Sequence, residues 1–221
     1  ITFLDNVMSR FSALILIFLS SFVLAHPGGK DTNGGHTNTK TGEYHCHSKT
    51  CRIDSSVNVV SNTYNRDDWK HWSDFDGDCM NTRHEILKSQ AISSVKLSPN
   101  GCYVSMGVWV DPFSAKTFTR ASDLDVDHII PLKWAHDHGG NIWSAEKKEQ
   151  FANDPENLIA VDDGLNQQKG AQGPTEWLPP NHNFRCEYLS FWVLLLNKYS
   201  ELTLTSSEER IFNRQLKACN L

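Results

Sequence analysis

Two stretches of this chain constrain its fold more than any other part of the sequence. The first is DVDHIIPLKW, in which an Asp-His pair is followed by a β-branched run and then by a proline. The second is NLIAVDDGLNQQKG. The apolar runs at 124–130 and 158–161 are predicted strands. Asp163-Gly164 introduces a predicted helix turn that contains Asn166 and Lys169. A strand, a loop, a strand and a helix predict one compact β-β-α unit.

The polar residues of these stretches suit the hydrolysis of a phosphodiester. His128 is a candidate general base, because an unperturbed imidazole titrates near pH ~6.5. Asp127 offers a carboxylate and Asn166 a carbonyl oxygen, and this sparse oxygen set suits Mg²⁺ when phosphate and water complete its shell. Neighbouring strand residues face opposite sides, so Asp127 and His128 meet one phosphate only if the strand ends or bulges there. Pro131, shortly afterwards, is consistent with such an end.

Blander interpretations compete with this one. A buried histidine beside an aspartate is more often a hydrogen-bonded core pair than a catalytic base. The second motif, with Asn157 and Asn166 nine positions apart, favours catalysis. His136 and His138 are predicted loop residues without a chemical role. Four tryptophans are predicted core residues rather than base-stacking platforms: Trp134, Trp143, Trp177 and Trp192.

The wider pattern resembles a known family. DxDHIIP followed by NxxxxxxxxNxxKG resembles the HNH (ββα-metal) endonucleases, including the HNH domain of CRISPR effector nucleases. The longer strings HWSDFDGDCMNTRHEIL, GVWVDP, LDVDHIIPLKWAHDHGGNIWS, FANDPENLIAV, NQQKG and EWLPP together resemble the GmrSD-type HNH family of bacterial nucleases. The resemblance runs from Tyr64 to about Cys219. It implies an α+β fold, in which a ββα-metal nuclease core carries added short strands, C-terminal helices and disulfides.

The resemblance also implies roles for single residues. His128 matches the general base, and Asp127 and Asn166 match the metal ligands. The expected cofactor is Mg²⁺, with another divalent cation as the alternative. Asn166 stands where the HNH pattern has its second histidine, which makes a tightly held Zn²⁺ less favoured.

Two further roles concern the loop and the substrate. Asn157 matches the residue that braces the loop, and Lys169 or Arg83 is the candidate phosphate contact. The expected substrate is DNA, with RNA as an alternative, and little sequence specificity is expected because no base-reading helix or tandem recognition module is evident. The formal net charge of −5 means that attraction to phosphate must come from local Lys and Arg side chains.

The N-terminus predicts export. Arg10 precedes an apolar stretch at 11–24, and small residues before His26 form a cleavage site. A membrane anchor is the alternative, but the stretch is short for a span. We therefore expect a signal peptide at 1–25, a secreted or periplasmic protein, and no membrane association after cleavage. The predicted organisation is signal peptide 1–25, His/Gly-rich module 26–51, linker 52–63 and endonuclease domain 64–221.

The His/Gly-rich module cannot build a hydrophobic core of its own at this length. Its HPGGKDTNGGH and TGEYHCH strings resemble a YHYH-like module of exported bacterial proteins. Its histidines could hold Zn²⁺, and they are His26, His36, His45 and His47. The alternative is a polar extension held by one disulfide.

Export also bears on the six cysteines, which should form disulfides in an oxidising compartment. Six cysteines allow fifteen pairings. Their order along the chain suggests Cys46–Cys51, Cys79–Cys102 and Cys186–Cys219. The last pair would join two helices, a buried one at 186–198 and a final one that a capping box at Thr205–Glu208 opens.

An acidic stretch before the central motif has part of a calcium-loop pattern. Positions 1, 3, 5, 9 and 12 of such a loop would be Asp74, Asp76, Asp78, Thr82 and Glu85. The position that demands glycine is Cys79, which tolerates a positive φ poorly, so an Asx-rich turn leading into a helix at 82–89 is favoured. With the His-rich module, this turn supports a second hypothesis: a non-catalytic exported protein that binds Zn²⁺ or Ca²⁺.

Overall fold

The computed structural model describes residues 63–221, and before them only the backbone of two short strands, β1 (Gly35–Thr37) and β2 (Tyr44–Cys46). These two strands pair antiparallel, with His36 opposite His45. The predicted signal peptide, the linker, the Cys46–Cys51 disulfide and the metal ligands of the His-rich module lie outside the described residues. The chain divides into two compact units, Ile1–Asp54 and Ser55–Leu221.

The second unit is a mixed α+β structure, which confirms the predicted class. Its strands are β3 (Lys96–Leu97), β4 (Val104–Val110), β5 (Thr117–Arg120), β6 (Leu124–His128) and β7 (Leu158–Asp162). Its helices are α1 (Thr82–Ser89), α2 (Leu132–Asp137), α3 (Ala145–Ala152), α4 (Asp163–Lys169), α5 (Arg185–Lys198) and α6 (Ser206–Ala218). Strands β3, β4 and β5 form one antiparallel sheet, and β6 and β7 form another.

The predicted strand–loop–strand–helix order is present as β6, β7 and α4. Strand β6 pairs with β7 in an unbroken register, with Asp127 opposite Ile159 and His128 opposite Leu158. The strand ends at His128, without a bulge. Asp162 caps α4 by accepting a hydrogen bond from the Leu165 amide, so β7 turns directly into the helix.

Two apolar clusters share alternate residues of β7, with Ile159 and Val161 in the larger cluster and Leu158 and Ala160 in the smaller. The larger is rich in aromatic residues and includes α5, which buries Tyr188, Leu189, Trp192 and Leu195. The smaller packs α1 and β4 against the two central strands. The four tryptophans predicted as core residues are all buried.

Several local predictions are confirmed. The disulfides Cys79–Cys102 and Cys186–Cys219 are both formed. Thr205 and Glu208 make the reciprocal capping box at the start of α6. In the described part of the chain, no helix combines the length and apolar character that crossing a membrane requires.

Other predictions need correction. His136 lies within α2 and is not a loop residue, whereas His138 lies just after the helix, at its C-cap. His138 stacks on Trp134 and its Nε2 lies 3.0 Å from Glu208, which ties α2 to α6. Cys79 adopts φ +75°, the backbone conformation that the sequence argument reserved for glycine. The Asx-rich turn itself is present, with Asp74 accepting hydrogen bonds from the Gly77 and Cys79 amides.

Candidate active site

The end of β6 opens onto a pocket of about 350 Å³. Asp127, His128 and Asn166 all contribute to its lining, although Asp127 and His128 are neighbours on a regular strand. The Asp127 carboxylate contacts α4, whereas the His128 ring contacts the end of α3. Because the strand stops at His128, both residues border the same space. The structure therefore gathers the three residues on which the sequence argument depends.

The His128 imidazole is fixed by a carbonyl and an aromatic ring. Its Nε2 lies 2.8 Å from the Ala152 carbonyl oxygen, which only accepts, so Nε2 carries the hydrogen and the neutral ring keeps its lone pair on Nδ1. Trp72 stacks on the ring at 5.6 Å between centroids. The pKa of His128 is lowered to about 3, chiefly by burial; the Ala152 hydrogen bond opposes this shift, and the charges of Arg66 and Lys169 add to it. The ring is neutral at neutral pH.

Asp127 is paired with a lysine that is completely buried. Lys169 Nζ lies 2.9 Å from Oδ1 and 2.8 Å from Oδ2 of Asp127, and it donates a hydrogen bond of 2.8 Å to the His128 carbonyl oxygen. Burial raises the pKa of the Asp127 carboxyl and lowers that of the Lys169 ammonium, each against the charge of its partner. Lys169 is 0% exposed in this arrangement, and the phosphate contact predicted for it stays a prediction.

Asn166 lies one helical turn before Lys169 and reaches the same strand. Its Nδ2 donates to Asp125 Oδ2 at 3.0 Å, which leaves its carbonyl oxygen as the ligand-type atom. Arg83, the other predicted phosphate contact, is half-buried and donates to the Leu124 carbonyl oxygen at 2.8 Å, at the start of β6. Arg83 does not line the pocket, and the phosphate contact predicted for it also stays a prediction.

Asn157 joins the loop after β6 to the start of β7. Its Oδ1 accepts a hydrogen bond of 2.8 Å from the Ile130 amide, and its Nδ2 donates to the Ile130 carbonyl. Its backbone carbonyl accepts a further bond from the Ile129 amide. The side chain is fully buried. These contacts fix the backbone that leaves His128.

Comparisons with known proteins bear on the same residues. The GmrSD restriction endonuclease C-terminal domain family matches residues 81–214, which include β6, β7 and α4. The chain belongs to this family. It is also similar to an uncharacterized secreted protein of Arthroderma benhamiae, with 37% identity over 158 residues that cover 71% of this chain and 76% of that protein. No solved structure matched significantly.

This GmrSD-family chain completes its pocket with residues that precede the matched region and were not predicted from the sequence. Arg66 and Tyr64 line the pocket, and His71 and Trp72 contact the His128 ring. Trp72 has φ +62°, a conformation that non-glycine residues seldom adopt outside constrained sites. The density of basic and aromatic residues in YNRDDWKHW was the available signal.

The basic side chains that line the pocket differ in availability. Lys133 forms an ion pair of 2.5 Å with Asp137. Arg66 is exposed, and no ion pair joins it to a carboxylate within residues 63–221. Arg66 is thus the better placed of the two to meet an anion that enters the pocket.

Proposed function

We propose that this protein is an exported, metal-dependent endonuclease of the HNH type that hydrolyses phosphodiester bonds in DNA with little sequence preference. One observation carries the proposal: a neutral His128, oriented by the Ala152 carbonyl, borders the same pocket as Asp127 and Asn166. Membership of the GmrSD family supports a nuclease. RNA is the alternative substrate.

His128 is the general base of this proposal. Its Nδ1 takes a proton from the attacking water, and the Ala152 carbonyl stabilises the imidazolium that forms. A pKa of about 3 in the free protein makes His128 a weak base. A bound phosphate would raise that pKa, because a negative charge nearby favours the protonated ring.

The donor set fits a hard divalent cation such as Mg²⁺. Asp127 and Asn166 would hold it with a carboxylate and a carbonyl oxygen. Asp127 Oδ2 is buried and accepts no hydrogen bond of acceptable geometry, although the Lys169 ammonium is within ion-pair distance, so this atom has capacity for a ligand. A cation bound there would neutralise charge that builds on the phosphoryl and leaving oxygens.

Arg66 is the proposed phosphate contact in place of Lys169 and Arg83. Arg66 is an exposed residue that lines the pocket, and a guanidinium matches the geometry of a phosphate in two parallel hydrogen bonds. Its positive charge already acts on His128. A local cation of this kind is needed because the whole chain carries a net charge of −5.

Export is supported by two observations. The two disulfides at 79–102 and 186–219 are typical of an oxidising compartment. The similar fungal protein is named as secreted. The proposal places this protein in the periplasm or the medium.

The proposal is tested with His128→Ala on purified mature protein. We expect a loss of plasmid cleavage in Mg²⁺ of roughly a thousandfold, with a cooperative thermal transition retained. His182→Ala is the matched control, because His182 is exposed and does not line the pocket, and it should cleave normally. A chelator should stop the wild-type reaction.

Cleavage by His128→Ala at the wild-type rate would overturn the assigned base. Cleavage that survives the chelator would overturn the cation requirement. A wild-type protein without activity on DNA or RNA in any divalent cation would favour the rival hypothesis of a non-catalytic metal-binding protein.

A further inference from the structure

Two side-chain contacts join β6 to α4, and they differ in charge and in burial. Asp125 and Asp127, two apart on a strand, face the helix together, and Asn166 and Lys169, three apart on a helix, face the strand. Asn166 bonds Asp125 in a neutral-to-charged contact, whereas Lys169 pairs with Asp127 charge to charge. The Lys169–Asp127 contact is the buried one, and both of its side chains are almost unexposed.

A buried carboxylate requires a counter-charge. Removing Asp127 from water is costly unless an opposite charge and hydrogen bonds compensate it, and Lys169 provides both. A second bond of the same ammonium, to the His128 carbonyl, fixes the backbone from which the catalytic ring projects. Lys169 therefore does, in the protein alone, the neutralising work that a metal ion does in a loaded site.

We propose that Lys169 is the resident counter-ion of the cation site and that it competes with the divalent cation for Asp127. This inference rests on the proposed function. A divalent cation on Asp127 would lie within a few ångströms of the ammonium, and like charges at that distance repel strongly where water is excluded. Because Lys169 also donates to the His128 carbonyl oxygen, its ammonium would keep a hydrogen-bond partner when the Asp127 carboxylate binds the cation.

Two consequences follow for the site. The pocket is assembled before any cation arrives, because Lys169 holds Asp127 and the His128 backbone together. The cation is held weakly and exchanges readily, since part of its attraction to Asp127 is offset by the ammonium. Lys169 is thus a positioning residue whose removal tightens cation binding while it weakens the fold.

The experiment measures Mn²⁺ binding by calorimetry on purified mature wild type and Lys169→Met. The double variant Asp127→Asn with Lys169→Met removes both charges and reports cations bound elsewhere, including any at the acidic turn of Asp74, Asp76 and Asp78. Lys148→Met is the matched control, because Lys148 is also a buried lysine but belongs to α3 and lies over Trp69.

Lys169→Met should lower the Kd of the Asp127-dependent Mn²⁺ site at least about tenfold. Without a cation its melting temperature should fall by roughly 10 °C, because Asp127 is left buried without a partner. Saturating Mn²⁺ should raise the melting temperature of the variant by more than it raises that of wild type. Lys148→Met should keep the wild-type Kd.

Equal Kd values for Mn²⁺ in wild type and Lys169→Met, at a site that the double variant lacks, would overturn the counter-ion inference and leave the nuclease proposal intact. No Asp127-dependent binding in either protein would overturn the inference and also the cation part of the proposed function. If Lys169→Met does not fold, Lys169→Gln, which retains a donor for the His128 carbonyl, takes its place with the same expected and overturning results.

Discussion

The β6–β7–α4 unit and the α5–α6 helical pair differ in the kind of side chain that they bury. The first buries charged and polar side chains, namely Asp127, His128, Asn157 and Lys169. The second buries aromatic and aliphatic side chains and is closed by the Cys186–Cys219 disulfide. Burying polar groups stabilises a fold only when each finds a partner, whereas burying apolar surface stabilises it directly.

The difference separates stability from chemistry. The helical pair contributes to the large apolar cluster, and its residues do not line the pocket of His128. In the β-β-α unit, each buried polar group is held in position by a hydrogen bond or an ion pair to another residue. A substitution in the helical pair should therefore weaken the fold alone, and one in the β-β-α unit should change the chemistry as well.

Asn157→Ala should have the largest combined effect. It leaves the Ile130 amide buried without its acceptor, which should cost about 2 kcal/mol of unfolding free energy. It also frees the backbone after His128, and kcat should fall roughly a hundredfold. Denaturant unfolding and plasmid cleavage measure the two effects. Asn197→Ala, exposed on α5, is the control, and an unchanged kcat in Asn157→Ala would break the comparison.

Leu195→Ala should lower the unfolding free energy by about 3 kcal/mol, because Leu195 is fully buried in the large cluster and its truncation leaves a cavity. Its kcat should stay at the wild-type value at a temperature where the variant is folded. The neighbouring Leu194 is 47% exposed, and Leu194→Ala should change neither quantity by much. A kcat that falls in step with stability would contradict the separation of the two regions.

Arg66→Gln should raise KM for a nucleic acid substrate about tenfold, because one phosphate contact is lost, while the melting temperature stays unchanged for this exposed residue. The salt dependence of KM should become shallower in the variant. Arg210→Gln, an exposed arginine on α6, should leave both unchanged. A wild-type KM in Arg66→Gln would remove Arg66 from the site.

Glu208→Gln should have the smallest effect. Burial raises the pKa of Glu208, but hydrogen bonds from Thr205 and the nearby His138 outweigh it, and the net pKa lies below the usual value. A lowered folded-state pKa stabilises the protein above the unfolded pKa of about 4.3, and this stabilisation is lost as pH falls through the folded value. Wild type should exceed the variant by about 0.5 kcal/mol at pH 7, and the difference should shrink as pH falls below the unfolded pKa. A difference that grows as pH falls would contradict this sign.

Local sequence determined the elements and the polar residues they carry. Apolar runs predict β6 and β7, Asp163-Gly164 predicts the start of α4, the capping box predicts the start of α6, and cysteine order suggested the two disulfides that the structure describes. The predictions of helices and strands succeed because hydrogen bonding within helices and the alternation of strand residues depend on neighbours a few positions away. The placement of His136 in a loop is wrong because it lies in α2, a helix of 6 residues, which is too short to show a helical period in the sequence.

Tertiary structure determined which residues contact one another in the site. The Ala152 carbonyl lies 24 positions from His128, and Lys169 lies 42 positions from Asp127. Sequence spacing could bring Lys169 near the strand, but only packing determines whether its ammonium reaches solvent or is sealed against a carboxylate. Arg66 and Trp72 were missed for the same reason, since their contact with the pocket depends on how distant segments pack together.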